Sequence, residues 1–275
     1  MSGKEPVAVL LCFRHNEPEV RLCRAISSTA AQAPEGTMFF LHADGGEPAG
    51  GRKALDAAAG GCVVDWTISS NSAGLATGLN RLIDKVLARG EFEFLARMDA
   101  DDVSAEGRLA RQRDFLQHHA SVDILGTSCR ELDERGNFLQ TKILPAAHEE
   151  IVSRLVWRNP MNHPTIMLRR RVFEKGLRYR TDVRLMEDYF LWIEAAACGF
   201  RFANLTDPLL DYTRDSGFFG RRSGWVQACA EWKARRYAAR TLQVSGPAAW
   251  VSPGSAFALR LLPAGLQTFL YKKLR

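Results

Sequence analysis

The sequence predicts an α/β fold in which helices cover both faces of a mostly parallel sheet. Residues 7–13 form an unbroken apolar run, which is typical of a strand buried on both faces. A helical pattern follows at 18–30, and the next strand-like run lies at 37–42. The alternation continues with a strand at 62–66 and an amphipathic helix at 75–88. This order indicates three layers with a parallel sheet in the middle.

The second half of the chain predicts shorter elements. A strand at 91–96 leads into a helix that runs from 103 to 118, with Ser104 as its N-cap. A polar turn at 132–138 predicts a hairpin. A cluster of arginines at 169–171 is expected to start a solvated helix. The remaining strands are expected at 122–127, 162–168, 200–205 and 208–213, and the remaining helices at 148–157 and from Glu187 onward.

Length and composition fit one α/β domain with an appendage. The chain has 275 residues, of which 46% are hydrophobic and 25% are charged, as in ordinary globular proteins. Its six cysteines are scattered, which argues against a zinc site or a disulfide framework and for a reducing compartment. Residues 1–6 lack the apolar run of a signal peptide, and no stretch reads as a membrane-spanning helix. The sequence therefore predicts a cytoplasmic location.

The net charge of +6 is concentrated near the C-terminus. Residues 221–275 hold ten Lys or Arg and one acidic residue, for a net charge of +9, whereas the remaining residues sum to −3. A basic segment of this kind suits either nucleic acid or an anionic membrane surface. We therefore expect residues 1–215 to form the main domain and residues 216–275 to form a basic helical extension.

The apolar residues of the extension favour the membrane. A basic helix is predicted at 225–243, and Ser252 and Pro253 are expected to cap and open a second helix. Apolar and cationic residues then alternate, namely Phe257, Leu261, Leu262, Leu266, Phe269 and Leu270 with Arg260, Lys272, Lys273 and Arg275. Such faces suit a helix that lies in a membrane interface, and docking on the protein's own domain is the alternative. Nucleic acid would explain the charge but not the apolar face, so no nucleic-acid partner is expected.

Three carboxylates cluster where the strand at 91–96 ends, at Asp99, Asp101 and Asp102. In an open α/β sheet, ligands bind in the crevice at this end of the strands. Carboxylates this close repel one another unless a cation lies among them, and Mg²⁺ and Mn²⁺ bind through one or two carboxylates plus substrate phosphates. The alternative is an acidic solvated loop that caps a helix.

The segment 94–102 resembles the Asp-x-Asp segment of inverting family 2 glycosyltransferases, which have the GT-A fold. Three further motifs occur in that family's order. Residues 71–80 resemble its Asn-x-Gly-Leu-x-x-x-Leu-Asn helix start, 159–165 its His-Pro segment, and 187–192 its Glu-Asp motif. The resemblance extends over about residues 6–215.

The resemblance implies a nucleotide-sugar donor bound at the ends of the first strands. It implies that Asp99 and Asp101 hold Mn²⁺ or Mg²⁺ and also contact the donor. From the residues alone, Asp44 also fits a simple Gly-rich turn, and Asn71 and Gly74 also fit an ordinary helix cap. The further donor contacts that it implies are Arg14, Asn16, Asp44, Asn71, Gly74 and Arg97.

The candidate catalytic residues are Glu187 and Asp188, which begin an apolar helix, with Asp188 chosen as the general base. Acidic residues in a first turn also suit the helix dipole, which is the alternative interpretation. His163 precedes a proline, which holds it extended and able to face the acceptor, although a lone histidine is more often structural. Family members often show Tyr-Arg-x-His near 212–215, but this chain has no histidine there, so the resemblance supplies no third metal ligand from this segment.

The expected activity is inverting transfer of a sugar from a nucleotide donor, expected to be a UDP-sugar, to a hydroxyl of a growing cell-surface saccharide. The acceptor is expected to be lipid-linked or an oligosaccharide, at the cytoplasmic face of the membrane. Residues 221–224 and 262–275 resemble the subgroup that builds bacterial exopolysaccharide, the amylovoran-biosynthesis type.

Two other function classes stay open. A non-catalytic, membrane-bound scaffold for nucleotide-sugars would not need Asp188. A nucleotidyltransferase would be expected to show a Gly-rich, basic loop after the first strand, and residues 14–17 lack it.

Overall fold

The computed structural model describes residues 5–215 and 217–262, which contain one nine-stranded sheet covered by helices. The strands are β1 (Val7–Arg14), β2 (Met38–Asp44), β3 (Val63–Ser69), β4 (Phe94–Arg97), β5 (Val103–Ser104), β6 (Ile124–Asp133), β7 (Phe138–Lys142), β8 (Met167–Arg169) and β9 (Phe202–Arg214). The helices are α1 (Glu19–Ala30), α2 (Lys53–Ala58), α3 (Leu75–Arg89), α4 (Arg108–His118), α5 (His148–Arg154), α6 (Arg171–Glu174), α7 (Glu187–Ala197), α8 (Phe218–Arg221), α9 (Trp225–Thr241) and α10 (Ala248–Leu261).

The sheet has the order β3-β2-β1-β4-β8-β6-β9-β5, with β7 paired to β6. Strand β1 is parallel to β2 and β4, and β2 is parallel to β3, as the sequence predicts. Further along, β8 lies antiparallel between β4 and β6, β6 and β9 are parallel, and β5 is antiparallel to β9. The register pairs Arg14 with Asp44, so β1 and β2 end at the same edge of the sheet.

Apolar side chains fill both faces of the sheet, which confirms the three-layer prediction. Ala8 and Leu10 belong to the cluster that includes α3, α7 and α9, whereas Val9 and Leu11 belong to the cluster with α1, α2 and α4. Successive side chains of a strand point to opposite faces, so β1 is buried on both sides. Its continuous apolar run is therefore a direct consequence of its central position.

The predicted start of the helix after the acidic cluster is wrong. Val103 and Ser104 form strand β5, and α4 begins only at Arg108. Ser104 caps no helix, because its backbone N–H donates to Ser28 Oγ at 3.1 Å and its hydroxyl accepts from Gln32. These partners come from α1 and the segment after it, and the strand partner comes from β9, so no local pattern shows them.

Residues 162–168 form a turn and a short strand, not the single strand that the sequence predicts. A 3₁₀ turn spans His163–Thr165, and only Met167–Arg169 is a strand. The turn is held by Thr165, whose hydroxyl accepts a hydrogen bond from Thr127 N at 3.0 Å.

Two further predictions fail because the chain pairs over longer distances than local patterns show. The strands predicted at 200–205 and 208–213 are one strand, β9, which accommodates Pro208 at an irregularity in its pairing with β6. Arg169 is buried, not solvated, since its Nε donates to Val122 O at 2.9 Å.

Helices α9 and α10 pack against the rest of the fold. Ala234 and Ala238 of α9 lie in the same apolar cluster as α3 and α7. Ser252 lies inside α10, where its hydroxyl donates to Val156 O at 2.5 Å, so the prediction that it caps a helix is wrong. The described part of the extension thus docks on the protein's own domain, the alternative that the sequence left open.

No helix within residues 5–215 and 217–262 is long and apolar enough to cross a membrane. The cationic and apolar residues predicted to follow α10 lie outside the described residues, namely Leu266, Phe269, Leu270, Lys272, Lys273 and Arg275.

Candidate active site

The predicted site residues converge on the edge where β1, β2 and β4 end. Arg14 ends β1, Asp44 ends β2 and Arg97 ends β4. Because β1 is parallel to both of its neighbours, these three strand ends lie at the same edge. The carboxyl ends of these strands thus point to the same side of the sheet, although Arg97 lies opposite Leu10, before the end of β1. The predicted crevice stays a prediction.

Asp44 holds the segment that leads into α3. Its carboxylate accepts hydrogen bonds from Ser72 Oγ at 2.6 Å, Ala73 N at 2.8 Å and Gly74 N at 3.1 Å. Burial opposes ionisation of Asp44, but these three bonds outweigh it and hold the pKa below its usual value. Asp44 thus remains an anion that fixes the loop. Its predicted contact with the donor stays a prediction.

Four of the predicted donor contacts lie at the protein surface. Arg14, Asn16 and Asn71 are exposed, as is Gly74, whose φ of 86° immediately precedes α3. A positive φ favours glycine, so Gly74 allows the chain to turn into the helix there. The exposed N-terminus of α3 suits an anionic ligand.

Arg97 lies underneath the acidic cluster. Its side chain is buried, its Nη1 donates to Leu10 O at 3.3 Å, and its Nη2 pairs with Asp99. Its Nε has no hydrogen-bond partner within the described residues. Arg97 therefore anchors Asp99 at the end of β4 while keeping one donor unused.

Asp101 and Asp102 lie at increasing depth behind Asp99. Burial and the charge of Asp99 raise the pKa of Asp101 to about 6. Asp102 is fully buried, and its pKa is raised by burial and by both neighbouring carboxylates. Its Oδ1 accepts from Thr213 N at 3.0 Å, and its Oδ2 has no partner within the described residues. Burial and mutual repulsion of the carboxylates thus oppose full ionisation of the cluster.

This donor set fits a divalent cation whose shell is completed by other oxygens. In the part of the chain that the structure describes, no three His, Cys, Asp or Glu side chains form a group able to hold a metal. Two carboxylates such as Asp99 and Asp101 suit Mg²⁺ or Mn²⁺, which bind few protein ligands and take substrate phosphates as well. The raised pKa of Asp101 is consistent with a site that a cation would stabilise.

Strand β9 closes the site from the other side, which the sequence did not show. Thr213 donates from its backbone to Asp102 and from its hydroxyl to Asp101 O at 2.8 Å. Tyr212 is near enough to the cluster for Asp99, Asp101 and Asp102 to help raise its pKa, although burial is the main cause. In the sequence, the only indication that this segment reaches the site was its position, which corresponds to the family's Tyr-Arg-x-His.

Glu187 and Asp188 begin α7, as predicted. The preceding residue, Met186, has a φ of 66°, a strained value for a non-glycine residue that aims the first turn of the helix. Asp188 Oδ2 accepts a hydrogen bond from Asn159 Nδ2 at 2.7 Å. Burial raises the pKa of Asp188, although the Tyr189 N–H and Asn159 stabilise its ionised form. Burial also raises the pKa of Glu187.

Residues 159–166 join the start of α7 to the end of β4, since Asn159 donates to Asp188 and Ile166 O accepts from Arg97 N at 2.7 Å. The charge of Asp99 adds to the rise in the pKa of Asp188, and the charge of Arg222 opposes it. Arg222 comes from the extension, where its Nη2 donates to Tyr212 OH at 3.2 Å and its guanidinium lies 4.1 Å from the Phe218 ring. Sequence reasoning noticed Arg222 only as part of a subgroup motif and assigned it no role.

His163 is a neutral side chain that packs against Tyr179. Its Nε2 lies 2.9 Å from Tyr179 OH, and burial together with the charge of Arg97 lowers its pKa well below the usual value. The side-chain amide of Asn80, on α3, holds the backbone of Tyr179. Its Nδ2 donates to Tyr179 O at 2.8 Å, and its Oδ1 accepts from Tyr179 N at 2.9 Å. No sequence pattern indicated Tyr179 or showed that Asn80 holds it in place. The predicted contact of His163 with the acceptor stays a prediction.

The mixed, mostly parallel sheet has the GT-A fold of glycosyltransferases, with carboxylates at the end of β4 and at the start of α7. The chain belongs to Glycosyl transferase family 2, whose sequence model matches residues 13–177. It is therefore a glycosyltransferase enzyme, as the motifs predicted.

Two relatives match most of the chain. It is 31% identical over 198 residues to an uncharacterized glycosyltransferase of Haemophilus influenzae, which covers 72% of each chain. It is 29% identical over 201 residues to the amylovoran biosynthesis glycosyltransferase AmsE of Erwinia amylovora, which covers 71% of this chain and 73% of AmsE.

Solved structures show the same fold. S. aureus TarS 1-349 in complex with UDP-GlcNAc aligns with a TM-score of 0.62 at 16% identity, over 87% of this chain and 67% of that chain. The same TarS fragment in complex with UDP gives a TM-score of 0.61 at 15% identity, and this chain spans 66% of it. The mannosyltransferase PcManGT of Pyrobaculum calidifontis, in complex with GDP-Man and Mn²⁺, aligns with a TM-score of 0.58 at 16% identity, over 98% of this chain and 79% of that chain.

Proposed function

We propose that this enzyme transfers a sugar from a nucleotide donor, a UDP-sugar, to an acceptor hydroxyl with inversion at the anomeric carbon. The observation that carries the proposal is that residues 159–166 join the start of α7 to the end of β4. Asn159 donates to Asp188 at 2.7 Å, and Ile166 O accepts from Arg97 N at 2.7 Å. An inverting transfer needs a donor site and a general base within one cleft, held in line with the reacting carbon. The complexes of TarS with UDP-GlcNAc and of PcManGT with GDP-Man support a nucleotide-sugar donor.

The donor lies along the carboxyl edge of β1, β2 and β4 in this proposal. Asp44 fixes the loop before α3, and the N-terminus of α3 attracts the diphosphate. The residues that contact the donor are Arg14, Asn16, Asp44, Asn71, Gly74, Arg97, Asp99 and Asp101.

Asp99 and Asp101 hold Mn²⁺ or Mg²⁺ in this proposal, and PcManGT with GDP-Man and Mn²⁺ supports such an ion. When bound, the ion offsets negative charge that develops on the departing diphosphate. Arg97 keeps Asp99 in place, and Thr213 holds the backbone of Asp101. The protein therefore positions both carboxylates before the ligands arrive.

Asp188 acts as the general base. It takes the proton of the acceptor hydroxyl while that oxygen bonds to the anomeric carbon and the bond from this carbon to the diphosphate breaks. Asn159 Nδ2 donates to Asp188 Oδ2, and this hydrogen bond orients the carboxylate. Glu187 is the second catalytic candidate, and neutral His163, supported by Tyr179, contacts the acceptor.

The acceptor is a growing cell-surface saccharide, either lipid-linked or an oligosaccharide, and the similarity to AmsE supports polysaccharide biosynthesis. Residues 1–215 form the catalytic domain in this proposal. The extension at 216–275 packs on that domain through one side of α9 and α10, and its exposed side binds the cytoplasmic face of the membrane peripherally. Exposed apolar side chains on the extension support this attachment, including Val226, which is 73% exposed, and Val251, which is 56% exposed.

Membrane attachment is tested by flotation with vesicles. The full-length protein should float with anionic vesicles and less so at high salt, because each basic residue near the surface contributes about 1 kcal/mol. The double substitution Val226→Ser and Val251→Ser should reduce flotation, whereas Phe138→Ser, which changes an exposed residue of β7, should not. Equal flotation of both variants, or flotation that ignores lipid charge, would contradict attachment through the extension.

The pH–rate profile tests the proposed base. Burial raises the pKa of Asp188, and only the ionised form accepts a proton, so turnover should rise with pH through that raised pKa. Asn159→Ala removes a hydrogen bond to the ionised form and should move the acidic limb to still higher pH. The measurement is kcat at saturating substrates as a function of pH. An acidic limb that does not move in the variant would show that another group controls it.

Donor hydrolysis, followed by mass spectrometry over a panel of nucleotide-sugars, tests the proposed function as a whole. We expect slow, metal-dependent release of UDP from one or a few UDP-sugars. A scaffold would bind a nucleotide-sugar without hydrolysing it, so binding without any release in the presence of Mn²⁺ would overturn the proposal.

A further inference from the structure

His163 lies in the middle of residues 159–166, the segment that joins the start of α7 to the end of β4. Its ring also packs against α7, because the ring centroids of His163 and Trp192 are 6.3 Å apart in an edge-on arrangement. Trp192 lies one helical turn after Asp188. His163 is therefore held beside the helix that carries the proposed base.

The two nitrogens of the His163 ring have different surroundings. Nε2 lies 2.9 Å from Tyr179 OH. Nδ1 has no hydrogen-bond partner within residues 5–215 and 217–262, and it is not among the unpartnered polar atoms that are sealed from solvent. The residue as a whole is partly exposed. Nδ1 is therefore the ring nitrogen that a ligand can reach.

Tyr179 is a rigid partner for this ring. It is buried, and the side-chain amide of Asn80 binds both its backbone N–H and its backbone carbonyl. The rings of Tyr179 and His163 pack edge to face, with centroids 5.4 Å apart. In the part of the chain that the structure describes, the Tyr179 hydroxyl has no hydrogen-bond partner other than His163. The fold thus fixes this hydroxyl at Nε2.

The direction of this hydrogen bond follows from the acidities of the two groups. Burial and the charge of Arg97 lower the pKa of His163 well below its usual value, so the ring is neutral and carries one N–H. Burial raises the pKa of Tyr179, so its hydroxyl stays protonated.

A phenol is the better proton donor of the pair, and an imidazole nitrogen, with a reference pKa of about 6.5, is a far better acceptor than a phenol oxygen. The Tyr179 hydroxyl therefore donates to Nε2. The hydrogen bond at one ring nitrogen determines which nitrogen is protonated, so the ring proton lies on Nδ1.

We propose that Tyr179 is a positioning residue, which holds His163 with its proton on Nδ1 so that this N–H donates to an uncharged oxygen of the acceptor sugar. The identity of the ligand rests on the proposed function, whereas the placement of the proton does not. A hydrogen bond donated to the attacking oxygen would oppose its attack on the donor. The N–H is therefore assigned to a neighbouring hydroxyl or to the ring oxygen of the acceptor, while Asp188 takes the proton of the attacking hydroxyl.

Nitrogen NMR of the full-length protein, with isotope-labelled histidine and no substrate, tests the placement of the proton. The chain has six histidines, and the signals of His163 are those that His163→Gln removes. We expect the proton on Nδ1 in the unaltered protein and a shift toward a mixture of both tautomers in Tyr179→Phe. The matched control is Tyr237→Phe, which removes a hydroxyl that donates to Glu194 at 3.0 Å and should leave the His163 signals unchanged. A proton on Nε2 in the unaltered protein, or His163 signals that do not change in Tyr179→Phe, would overturn the proposal.

Transfer kinetics with methyl glycosides of common hexoses as acceptors test the role of the N–H. Tyr179→Phe should raise the KM for the acceptor about tenfold, the usual worth of one hydrogen bond, with a smaller change in kcat. The control Tyr237→Phe should change neither constant. An acceptor KM that is the same in Tyr179→Phe and in the unaltered protein would overturn the assigned role. A protein that has its proton on Nδ1 but uses no nucleotide-sugar would instead count against the proposed function, so the two failures are distinguishable.

Discussion

Asp188→Asn is expected to lower turnover by about 10²–10⁴-fold, the usual contribution of a positioned general base. The amide keeps the shape of the side chain and its contact with Asn159 but accepts no proton. Donor affinity should stay nearly level, because the donor edge lies at the ends of β1, β2 and β4. The measurement is kcat for sugar transfer or donor hydrolysis, together with the Kd for UDP.

Asp84→Asn is the matched control, since Asp84 is an exposed carboxylate paired with Arg178. It should leave kcat unchanged. If Asp188→Asn retains kcat and Glu187→Gln loses it, the base is Glu187, and the assignment of Asp188 fails.

Asp101→Asn should weaken metal-dependent binding of UDP by about 10–100-fold. Removal of a residue that only supports a metal ligand already costs metal affinity of this order, so removal of a ligand should cost at least as much. The reason is the loss of an anionic oxygen from a site where carboxylate charge accumulates. Calorimetry with UDP, with and without Mn²⁺, provides the measurement. Asp114→Asn, which changes an exposed carboxylate of α4, is the control and should behave like the unaltered protein.

The same experiment has a pH dependence with a definite sign. The pKa of Asp101 is raised to about 6, so a proton competes with the cation below that pH. Metal-dependent affinity should therefore fall as pH decreases through about 6 in the unaltered protein. Asp101→Asn should lose most of this dependence. Metal-dependent affinity that is unchanged in the variant would show that Asp101 is not a ligand.

The central strands and the helices between them could be predicted because their signals are local. Strand β1 is apolar throughout because both of its faces are buried, and α3 is amphipathic because only one of its faces is buried. The acidic cluster at the end of β4 and the carboxylates at the start of α7 were also visible, because both follow or begin a regular element.

The interactions that unite the site could not be predicted, because they join distant parts of the chain. Strand β5 exists only because β9 pairs with it, more than 100 residues later. Asn80 reaches Tyr179 across 99 positions, and Asn159 reaches Asp188 across 29. No single-residue pattern encodes such partners, and Arg222 likewise reaches the site from the extension.

The stereochemistry of donor hydrolysis tests the central claim most directly. The donor that the panel identifies is incubated with enzyme and Mn²⁺ without acceptor, and early proton NMR spectra report the anomer released before mutarotation. Because water takes the place of the acceptor hydroxyl in line with the departing diphosphate, an α-linked donor should release the β anomer first. Release of the α anomer first would show retention and would contradict inverting transfer with Asp188 as base.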